Sequence, residues 1–229
     1  IDPPDARDHD DAVWAEIDPE TGGAHIIVAI ADVAAYVRPG TALDREARIR
    51  GNSVYFPDRV VPMLPERISN DLCSLREKEE RPALACFMSF DKSGRKTKHR
   101  FERVVMRSAA KLSYEEAQAA IDGRAGPRAE SLLDPVLKPL WRAYDVLKKG
   151  RDARAPLELD LPERKLILDA HGLIERVVTP LRLDAHKLIE EFMIQANVDA
   201  AEELEAKHTP LIYRVHEPPS ADKLRALAE

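Results

Sequence analysis

Carboxylates crowd the first eleven residues of this chain. Asp2, Asp5, Asp8, Asp10 and Asp11 fall in a short run that carries a single arginine. Carboxylates this close repel one another, and each raises the pKa of its neighbours unless a cation lies among them. Because carboxylate oxygens are the ligands that Mg²⁺ and Mn²⁺ prefer, the cluster predicts a site for one or two divalent ions. Such sites serve the chemistry of phosphoryl oxygens.

The residues after the cluster favour a fixed site over a solvated loop, which is the ordinary structure of an acidic run. The acids lead directly into the apolar segment 12–17, and the apolar run 26–31 follows a turn rich in proline and glycine. Both segments have the composition of buried strands. Acids packed against buried strands are held in place, as a metal site requires.

The spacing of the aspartates sets a condition on the backbone. In an extended chain Asp2, Asp8 and Asp10 share one side, whereas Asp11 points to the other. The four side chains converge only if the chain turns near the last two. The proline pair at 3–4 also predicts a shaped loop here, not a helix or a regular strand.

Two familiar carboxylate sites do not fit this pattern. A calcium-binding EF-hand loop is excluded because Ala12 stands at its third ligand position and no glycine follows. A phosphatase with an aspartyl nucleophile would carry its acids directly after a long apolar strand, whereas here the strand follows the acids. A multi-carboxylate site for divalent ions remains.

The charge balance limits the kind of nucleic-acid partner. The net charge of −6 on 229 residues argues against a protein that coats nucleic acid non-specifically, but not against an enzyme that acts on it. Such an enzyme keeps basic residues away from its acids to track the backbone. Two basic clusters have the composition for that role, or for solubility alone: Arg45, Arg48, Arg50 and Arg59, then Arg95, Lys96, Lys98, His99, Arg100 and Arg103.

Three features of the sequence indicate whether the protein is a fragment, whether it meets a membrane and which redox compartment it occupies. The sequence opens on Ile1, without methionine and inside what reads as a structured motif, so we expect a piece of a longer protein. No segment approaches the length of a membrane span, so no membrane partner is expected. Cys73 and Cys86 lie among apolar residues without a metal-ligand spacing, which favours buried free thiols in a cytosolic protein over a disulfide.

Periodicity and turn signals predict an α+β fold whose sheet is largely antiparallel. Capping boxes at Thr41 and Ser113 mark the starts of two helices, and Gly51 marks the end of the first. The other predicted elements are strands at 12–17, 25–31, 53–56, 84–91 and 97–107, a strand pair around 169–172, helices over about 131–149 and 183–206, a last strand at 211–215, and a helix from 220.

Motifs along the whole chain resemble the catalytic domain of the RNase II / RNase R family, the hydrolytic 3′→5′ exoribonucleases. The acidic block 1–13 is most similar to the RNase R branch. Further blocks match in the same order at 28–37, 50–57, 62–65, 72–75, 184–193 and 213–219. The resemblance implies that residues 1–229 are part of a catalytic domain in which helices packed on the sheet form an RNA channel. It also implies cold-shock-like and S1-like flanking domains outside this sequence.

The same resemblance implies roles for the acidic loop and one tyrosine. Asp2, Asp8, Asp10 and Asp11 match the family's four metal-site aspartates, and activity depends most on the one matched by Asp10. Two ions, Mg²⁺ or Mn²⁺, are implied as cofactors. Tyr55 matches a tyrosine that holds the RNA 3′ end near the scissile phosphate, so it is grouped with Asp10 as catalytic.

Three further residues are implied to contact RNA. Tyr114 and Glu190 match residues that touch the terminal nucleotides and help to select RNA over DNA. Leu159 stands where the family stacks a phenylalanine on the terminal bases, and a leucine covers a base without offering a π face. Without the family resemblance, tyrosines such as Tyr55 and Tyr114 are more often packing residues. Glu190 and Glu191 would then normally form the solvent-exposed face of their helix.

The expected function is therefore metal-dependent, processive hydrolysis of single-stranded RNA from its 3′ end to nucleoside 5′-monophosphates, serving RNA turnover. The expected protein is a cytoplasmic monomer without an obligate protein partner. One alternative is an RNA-binding or regulatory relative that keeps the fold but has lost hydrolysis, against which the intact set of four aspartates argues. Another is a metal-dependent phosphoesterase for small molecules, which would not need Tyr114 and Glu190 near its site.

Overall fold

The computed structural model describes residues 1–156, 164–169 and 171–228, and a four-stranded antiparallel sheet lies at its centre. In this sheet the strand order is β1-β2-β5-β6, while β3 pairs with β4 and β7 with β8. The strands are β1 (Asp11–Ile17), β2 (Ala24–Ala31), β3 (Val54–Tyr55), β4 (Val60–Val61), β5 (Glu80–Phe90), β6 (Lys96–Arg107), β7 (Lys165–Leu168) and β8 (Ile174–Val178).

Most helices begin at residues that satisfy free backbone groups locally. The Thr41 side chain accepts from the Asp44 amide, and Ser113 and Glu116 form a reciprocal capping box. The helices are α1 (Ala42–Arg50), α2 (Tyr114–Ile121), α3 (Pro127–Glu130), α4 (Lys138–Ala153), α5 (Asp184–Ala206) and α6 (Ala221–Ala228). In the described part of the chain no helix is both long and apolar enough to cross a membrane.

The main core lies between one face of the sheet and three helices. Alternate residues of β2 and β5, such as Ile26, Val28 and Met88, point to that face and are almost fully buried. Helices α2, α4 and α5 cover them and also contact one another. A smaller cluster around Ala29, Ala85 and other small residues lies on the opposite face. Helices therefore cover one face of the sheet within the described residues.

A buried ionic cluster connects α5 to the β5–β6 hairpin. Asp199, which is 0 % exposed, accepts hydrogen bonds from the ammonium group of Lys96 and from the Cys86 thiol, the latter at 3.6 Å. Burial, with Asp199 beside it, raises the pKa of the Cys86 thiol to about 12. Both cysteines are free and buried, as predicted. Because a buried carboxylate is stable only when paired, Lys96 fixes the distance between the hairpin and α5.

The tip of the β5–β6 hairpin touches α4 through two glycines. Gly94 adopts φ +80°, a conformation that residues with a Cβ rarely take. A Cβ added to Gly150 would lie 2.5 Å from the Gly94 carbonyl oxygen. The two backbones therefore pack directly against each other, and neither position has space for a larger residue.

The predicted α+β class and antiparallel sheet are confirmed, with two corrections to single elements. The predicted strand at 211–215 is wrong: this segment has no strand partner among the described residues, and Ile212 is 97 % exposed. A strand without a neighbouring strand has no ladder to stabilise it. The helix predicted over about 131–149 is instead α3, a π-helical turn at Leu133–Leu137 and α4, in a stretch where Pro135 and Pro139 remove backbone donors.

Gly150→Ala should destabilise the protein although alanine is the better helix former. In an exposed helix this change stabilises by about 1 kcal/mol. Here the added methyl overlaps the Gly94 carbonyl, so the hairpin must shift. We expect a net loss of about 1–3 kcal/mol in the free energy of unfolding, measured by urea titration.

Gly126→Ala is the matched control, because no atom lies within 4 Å of the Cβ it would add. A surface change of this kind should alter the free energy of unfolding by about 0.5 kcal/mol or less. If Gly150→Ala proved as stable as the parent, the close packing of the hairpin against α4 would be wrong.

Candidate active site

Backbone hydrogen bonds fix the start of the acidic loop, residues 2–11, beside the start of α2. The Asp2 amide donates to the Leu112 carbonyl at 3.2 Å, and the Asp2 carbonyl accepts from the Tyr114 amide at 3.2 Å. A turn follows in which the Ala6 amide donates to the Pro3 carbonyl at 3.1 Å. The loop is thus shaped at its prolines, as predicted, and its first aspartate lies next to Tyr114.

A serine from a distant segment holds the middle of the loop. The Ser74 hydroxyl, which is buried, accepts from the His9 amide at 3.2 Å and donates to the Arg7 carbonyl at 3.0 Å. The Leu75 amide donates to the His9 carbonyl at 2.8 Å, and the Ala31 amide donates to the Asp10 carbonyl at 2.8 Å. These bonds fix the backbone that carries the acids, independently of any ion.

The four predicted ligands interact electrostatically as one group. Partial burial raises the pKa of Asp10, and the charges of Asp8 and Asp2 raise it further. Burial also raises the pKa of Asp11, as do Asp2 and Asp10, while the His9 ring acts in the opposite direction. At neutral pH the loop therefore holds charges that oppose one another, which is the condition that a bound cation relieves.

One oxygen in this group has no protein partner. Oδ2 of Asp11 is buried and makes no hydrogen bond within the described residues. Its carboxylate lies on a cavity of about 390 Å³ that Asp2 and His9 also line, together with the apolar face of the sheet around Trp14 and Phe87. A buried anionic oxygen without a donor is costly, so this position fits a cation.

The aspartates are nevertheless spaced more widely than the ligands of an assembled metal site. Within the described chain, the group whose ligand atoms all lie within 4.8 Å of one another is His99, Asp199 and Glu202, not the acidic loop. Lys96 donates to both Asp199 and Glu202 and supplies the positive charge there. The acidic loop therefore has the donor set for a cation in a looser arrangement.

Tyr114 lies between the acidic loop and α5. Its ring stacks on that of His186, with centroids 4.0 Å apart and planes at 16°. Burial raises the pKa of Tyr114 to about 12, and the charges of Asp2 and Asp11 contribute. One face of the tyrosine ring is thus occupied by a protein ring, and the side chain as a whole is partly buried against the main core.

Glu190 lies one helical turn after His186, on the same side of α5. Its side chain is 44 % exposed and pairs with Arg182. Glu190 therefore lies on the exposed side of α5. The inward carboxylate is its neighbour Glu191, which is 2 % exposed, hydrogen-bonds Gln195 at 2.9 Å and lies 3.9 Å from Arg151. The pairing of Glu191 with α4 fixes the rotation of α5 and leaves Glu190 at the surface.

The remaining predicted site residues are not brought together with the acids. Tyr55 is 68 % exposed on the β3–β4 hairpin, and within the described residues no contact joins it to the aspartates. Leu159 lies outside the described residues. Asp5, which the family resemblance left out of the metal set, is exposed and lies 4.0 Å from Lys165.

Sequence reasoning missed two histidines. His9 is buried, and its Nδ1 lies 3.1 Å from Oδ2 of Asp2, so it orients that carboxylate. Its place between Asp8 and Asp10 was the available signal. His186 supports Tyr114, and its spacing of four residues from Glu190 could have identified a shared helix face.

Comparison with known proteins gives a match over the whole chain. Residues 1–229 match the RNB domain family. The chain is 46% identical over 225 residues to ribonuclease R of Vibrio cholerae and 45% identical over 225 residues to ribonuclease R of Escherichia coli. Each alignment covers 98% of this chain but only 27% and 28% of those relatives. The chain thus spans just over a quarter of their length.

A solved structure agrees with this match. RNase R of Mycoplasma genitalium, in complex with ribose-methylated single-stranded RNA, superimposes with a TM-score of 0.92 at 32% identity. The superposition covers 99% of this chain and 35% of that one. The antiparallel sheet and its helices are therefore a shared architecture.

Asp11→Asn should raise the melting temperature of the protein by a few degrees in EDTA at neutral pH. The change keeps the shape of the side chain and removes a partly buried charge whose ionised form is disfavoured. Because the pKa of Asp11 is raised in the folded state, the ionised carboxylate destabilises the fold fully at pH values above that raised pKa. This destabilisation disappears as the pH falls toward the ordinary value of 3.8. The advantage of the variant should shrink over the same range.

Asp18→Asn provides a control of opposite sign. Hydrogen bonds from the Thr21 hydroxyl, at 2.7 Å, and the Glu20 amide lower the pKa of Asp18, so its ionised form is favoured. This variant should melt at or below the parent temperature. An Asp11→Asn protein that melts below the parent in EDTA would contradict the predicted repulsion in the loop.

Proposed function

Because the chain belongs to the RNB domain family, we propose that it is the catalytic part of an exoribonuclease that hydrolyses single-stranded RNA from the 3′ end. The proposed products are nucleoside 5′-monophosphates, released processively during RNA turnover. The observation that carries the proposal is the acidic loop: all four aspartates of the family motif are present, and hydrogen bonds hold their backbone in one place. The buried free thiols support a reducing, cytoplasmic setting, and we propose a monomer.

Two Mg²⁺ ions, or Mn²⁺ in their place, are the proposed cofactors, with Asp2, Asp8, Asp10 and Asp11 as the residues that would hold them. Such ions supply a positive charge that polarises a phosphoryl oxygen and lowers the pKa of water. The support from this chain is the unpartnered buried oxygen of Asp11 and the raised pKa values of Asp10 and Asp11.

The side chains around the loop have roles that follow from their contacts. His9 holds Asp2 in position through its Nδ1 atom. Tyr114, supported on one face by His186, is proposed to contact the terminal nucleotide through its hydroxyl group. Glu190 has a carboxylate at the surface that pairs with Arg182, and it is proposed to accept from a ribose hydroxyl. Tyr55 is proposed to approach the scissile phosphate from its exposed hairpin.

The alternative is a relative that binds RNA without hydrolysing it. Binding to phosphates and bases requires cations and stacking surfaces, whereas four mutually repelling carboxylates weaken contact with a polyanion. A loop that keeps all of them, at a cost to its own stability, favours hydrolysis over binding alone.

Asp10→Asn should reduce hydrolysis of single-stranded RNA by at least about a hundredfold, the size of effect typical for loss of one electrostatic contributor. RNA affinity should change little, because phosphate contacts and stacking are distributed along the strand. Initial rates on a 5′-labelled oligonucleotide and filter binding of the same RNA measure the two quantities.

Asp5→Asn is the matched control, because it removes the same charge from the same loop at an exposed position outside the metal set. Its rate should stay within about twofold of the parent, as expected for a surface change of at most about 0.5 kcal/mol. Near-normal hydrolysis by Asp10→Asn would refute the proposal, and equal losses in both variants would indicate a non-specific effect of loop charge.

The double variant Glu190→Ala, Tyr114→Phe should cleave DNA better relative to RNA. RNA differs from DNA by a 2′-hydroxyl that both donates and accepts. Loss of a hydrogen bond to a charged group costs about 1.5–3 kcal/mol, so the ratio of RNA to DNA rates should fall about tenfold or more. Tyr114→Phe keeps the stack on His186, which restricts the change to the hydroxyl group.

Glu205→Ala, Tyr213→Phe serves as the control pair, because it removes the same two kinds of group elsewhere in the chain, a tyrosine hydroxyl and an exposed glutamate, which here hydrogen-bond each other. Its ratio of rates on matched single-stranded RNA and DNA should equal that of the parent. An unchanged ratio in the first pair would mean that Glu190 and Tyr114 only pack, and that another part of the protein selects the sugar.

A further inference from the structure

A second cavity, of about 660 Å³, opens on the other side of the acidic loop. We call it the basic cleft. Its cationic lining residues are Arg7, Arg67, Arg76, Lys111 and Arg128, and the carboxylates Glu66, Glu77 and Glu79 are also part of its lining. Its volume lies within the range of about 300–1,000 Å³ that is usual for small-molecule sites.

Three of the five cations form the frame of the basic cleft. Lys111 donates to the Ala6 carbonyl at 2.7 Å. Arg128 donates to the Lys111 carbonyl at 2.7 Å and to Glu77 at 2.9 Å. Arg76 pairs with Asp71 at 2.8 Å. Because these groups are already paired, they fix the walls of the cleft and contribute less to binding an additional anion.

Arg7 and Arg67 are the cations of the basic cleft that remain available. Neither guanidinium group has an ion-pair or hydrogen-bond partner among the residues that the structure describes. The backbone of Arg7 is nevertheless held, because its carbonyl accepts from the buried Ser74 hydroxyl at 3.0 Å. A guanidinium on a fixed backbone, with no partner among the described residues, is arranged to donate to two oxygens of an anion such as a phosphate.

The basic cleft adjoins the candidate active site directly. His9 and Lys111 line both the basic cleft and the cavity that contains Asp2 and Asp11. The His9 ring lies 3.1 Å from Asp2, so this side chain is part of the boundary between the carboxylates and the basic cleft. A strong gradient of charge therefore crosses the loop, from acids on one side to free arginines on the other.

We propose that the basic cleft binds the phosphate groups of nucleotides, through Arg7 and Arg67. The inference rests on the proposed function, since hydrolysis at the acidic loop produces nucleoside 5′-monophosphates beside the cleft. A phosphomonoester carries about −1.5 to −2 charges at pH 7, more than the diester it came from. The aspartates repel such a product, and Arg7 and Arg67 attract and bind its phosphate. The internal phosphates of the RNA strand are the other source of the same chemical group.

Titration calorimetry of the protein with adenosine 5′-monophosphate in EDTA tests the proposal. Chelation prevents metal-mediated binding at the aspartates, so the measured affinity does not depend on whether the protein hydrolyses RNA. Arg7→Ala, Arg67→Ala should weaken this binding by about tenfold or more, as loss of charge-assisted hydrogen bonds predicts. Inhibition of hydrolysis by the same nucleotide should weaken in parallel, and Arg7→Lys, Arg67→Lys should restore part of the affinity.

Two further measurements show whether the bound phosphate belongs to the released nucleotide or to the RNA strand, and control for the change in net charge. A rise in KM for RNA, with nucleotide affinity unchanged, would assign the cleft to phosphates of the strand; a loss of nucleotide affinity alone would assign it to the product. Arg142→Ala, Lys149→Ala removes two exposed cations of α4 and should change neither quantity. If the arginine variant melts like the parent and keeps both affinities, or if the α4 variant loses them equally, the proposal is overturned.

Discussion

Mutual repulsion among carboxylates is the constraint on which the rest of this structure depends. Asp10 and Asp11 are harder to ionise because they are partly buried and because other aspartates lie near them. Without the hydrogen bonds to its backbone, such a loop would unfold so that its carboxylates move apart into solvent. It stays folded because its backbone is tied on three sides: to residues 112–114, to Ser74 and Leu75, and to Ala31 at the end of β2. The sheet and α2 act as the frame that keeps the acids together.

The same constraint explains the buried histidine and the fixed tyrosine beside the loop. His9 places its ring against Asp2, with Nδ1 3.1 Å from Oδ2 of that carboxylate. Tyr114 is tied to Asp2 through the backbone and to α5 through His186. A shift of α5 therefore reaches the acidic loop through one stacked pair of rings. The donor set is arranged around a site for positive charge.

Local signals allowed much of the fold to be predicted, because they act over a few residues. The caps at Thr41 and Ser113 and the alternation in β2 and β5 determine their elements without help from distant parts of the chain. The acidic motif likewise identified the candidate ligands. What escaped prediction depends on contacts between remote segments. Ser74 holds a loop 65 residues away from it. The outward rotation of Glu190 follows from the pairing of Glu191 with arginines of α4, which no helical period encodes.

The buried pair between Lys96 and Asp199 also affects the order in which parts of the fold form during synthesis. Its partners are 103 residues apart, and the hairpin that carries Lys96 is made of local contacts. On a ribosome the hairpin is complete long before α5 emerges, so the part of the apolar face that α5 covers stays exposed while about a hundred more residues are made, at about 5–20 residues per second. Docking of α5 then both completes the cover over this part of the core and neutralises its buried charge. Nascent chains that stall before residue 199 expose both an apolar surface and the unpaired ammonium group of Lys96. Chaperones and proteases can recognise these chains by that exposed surface.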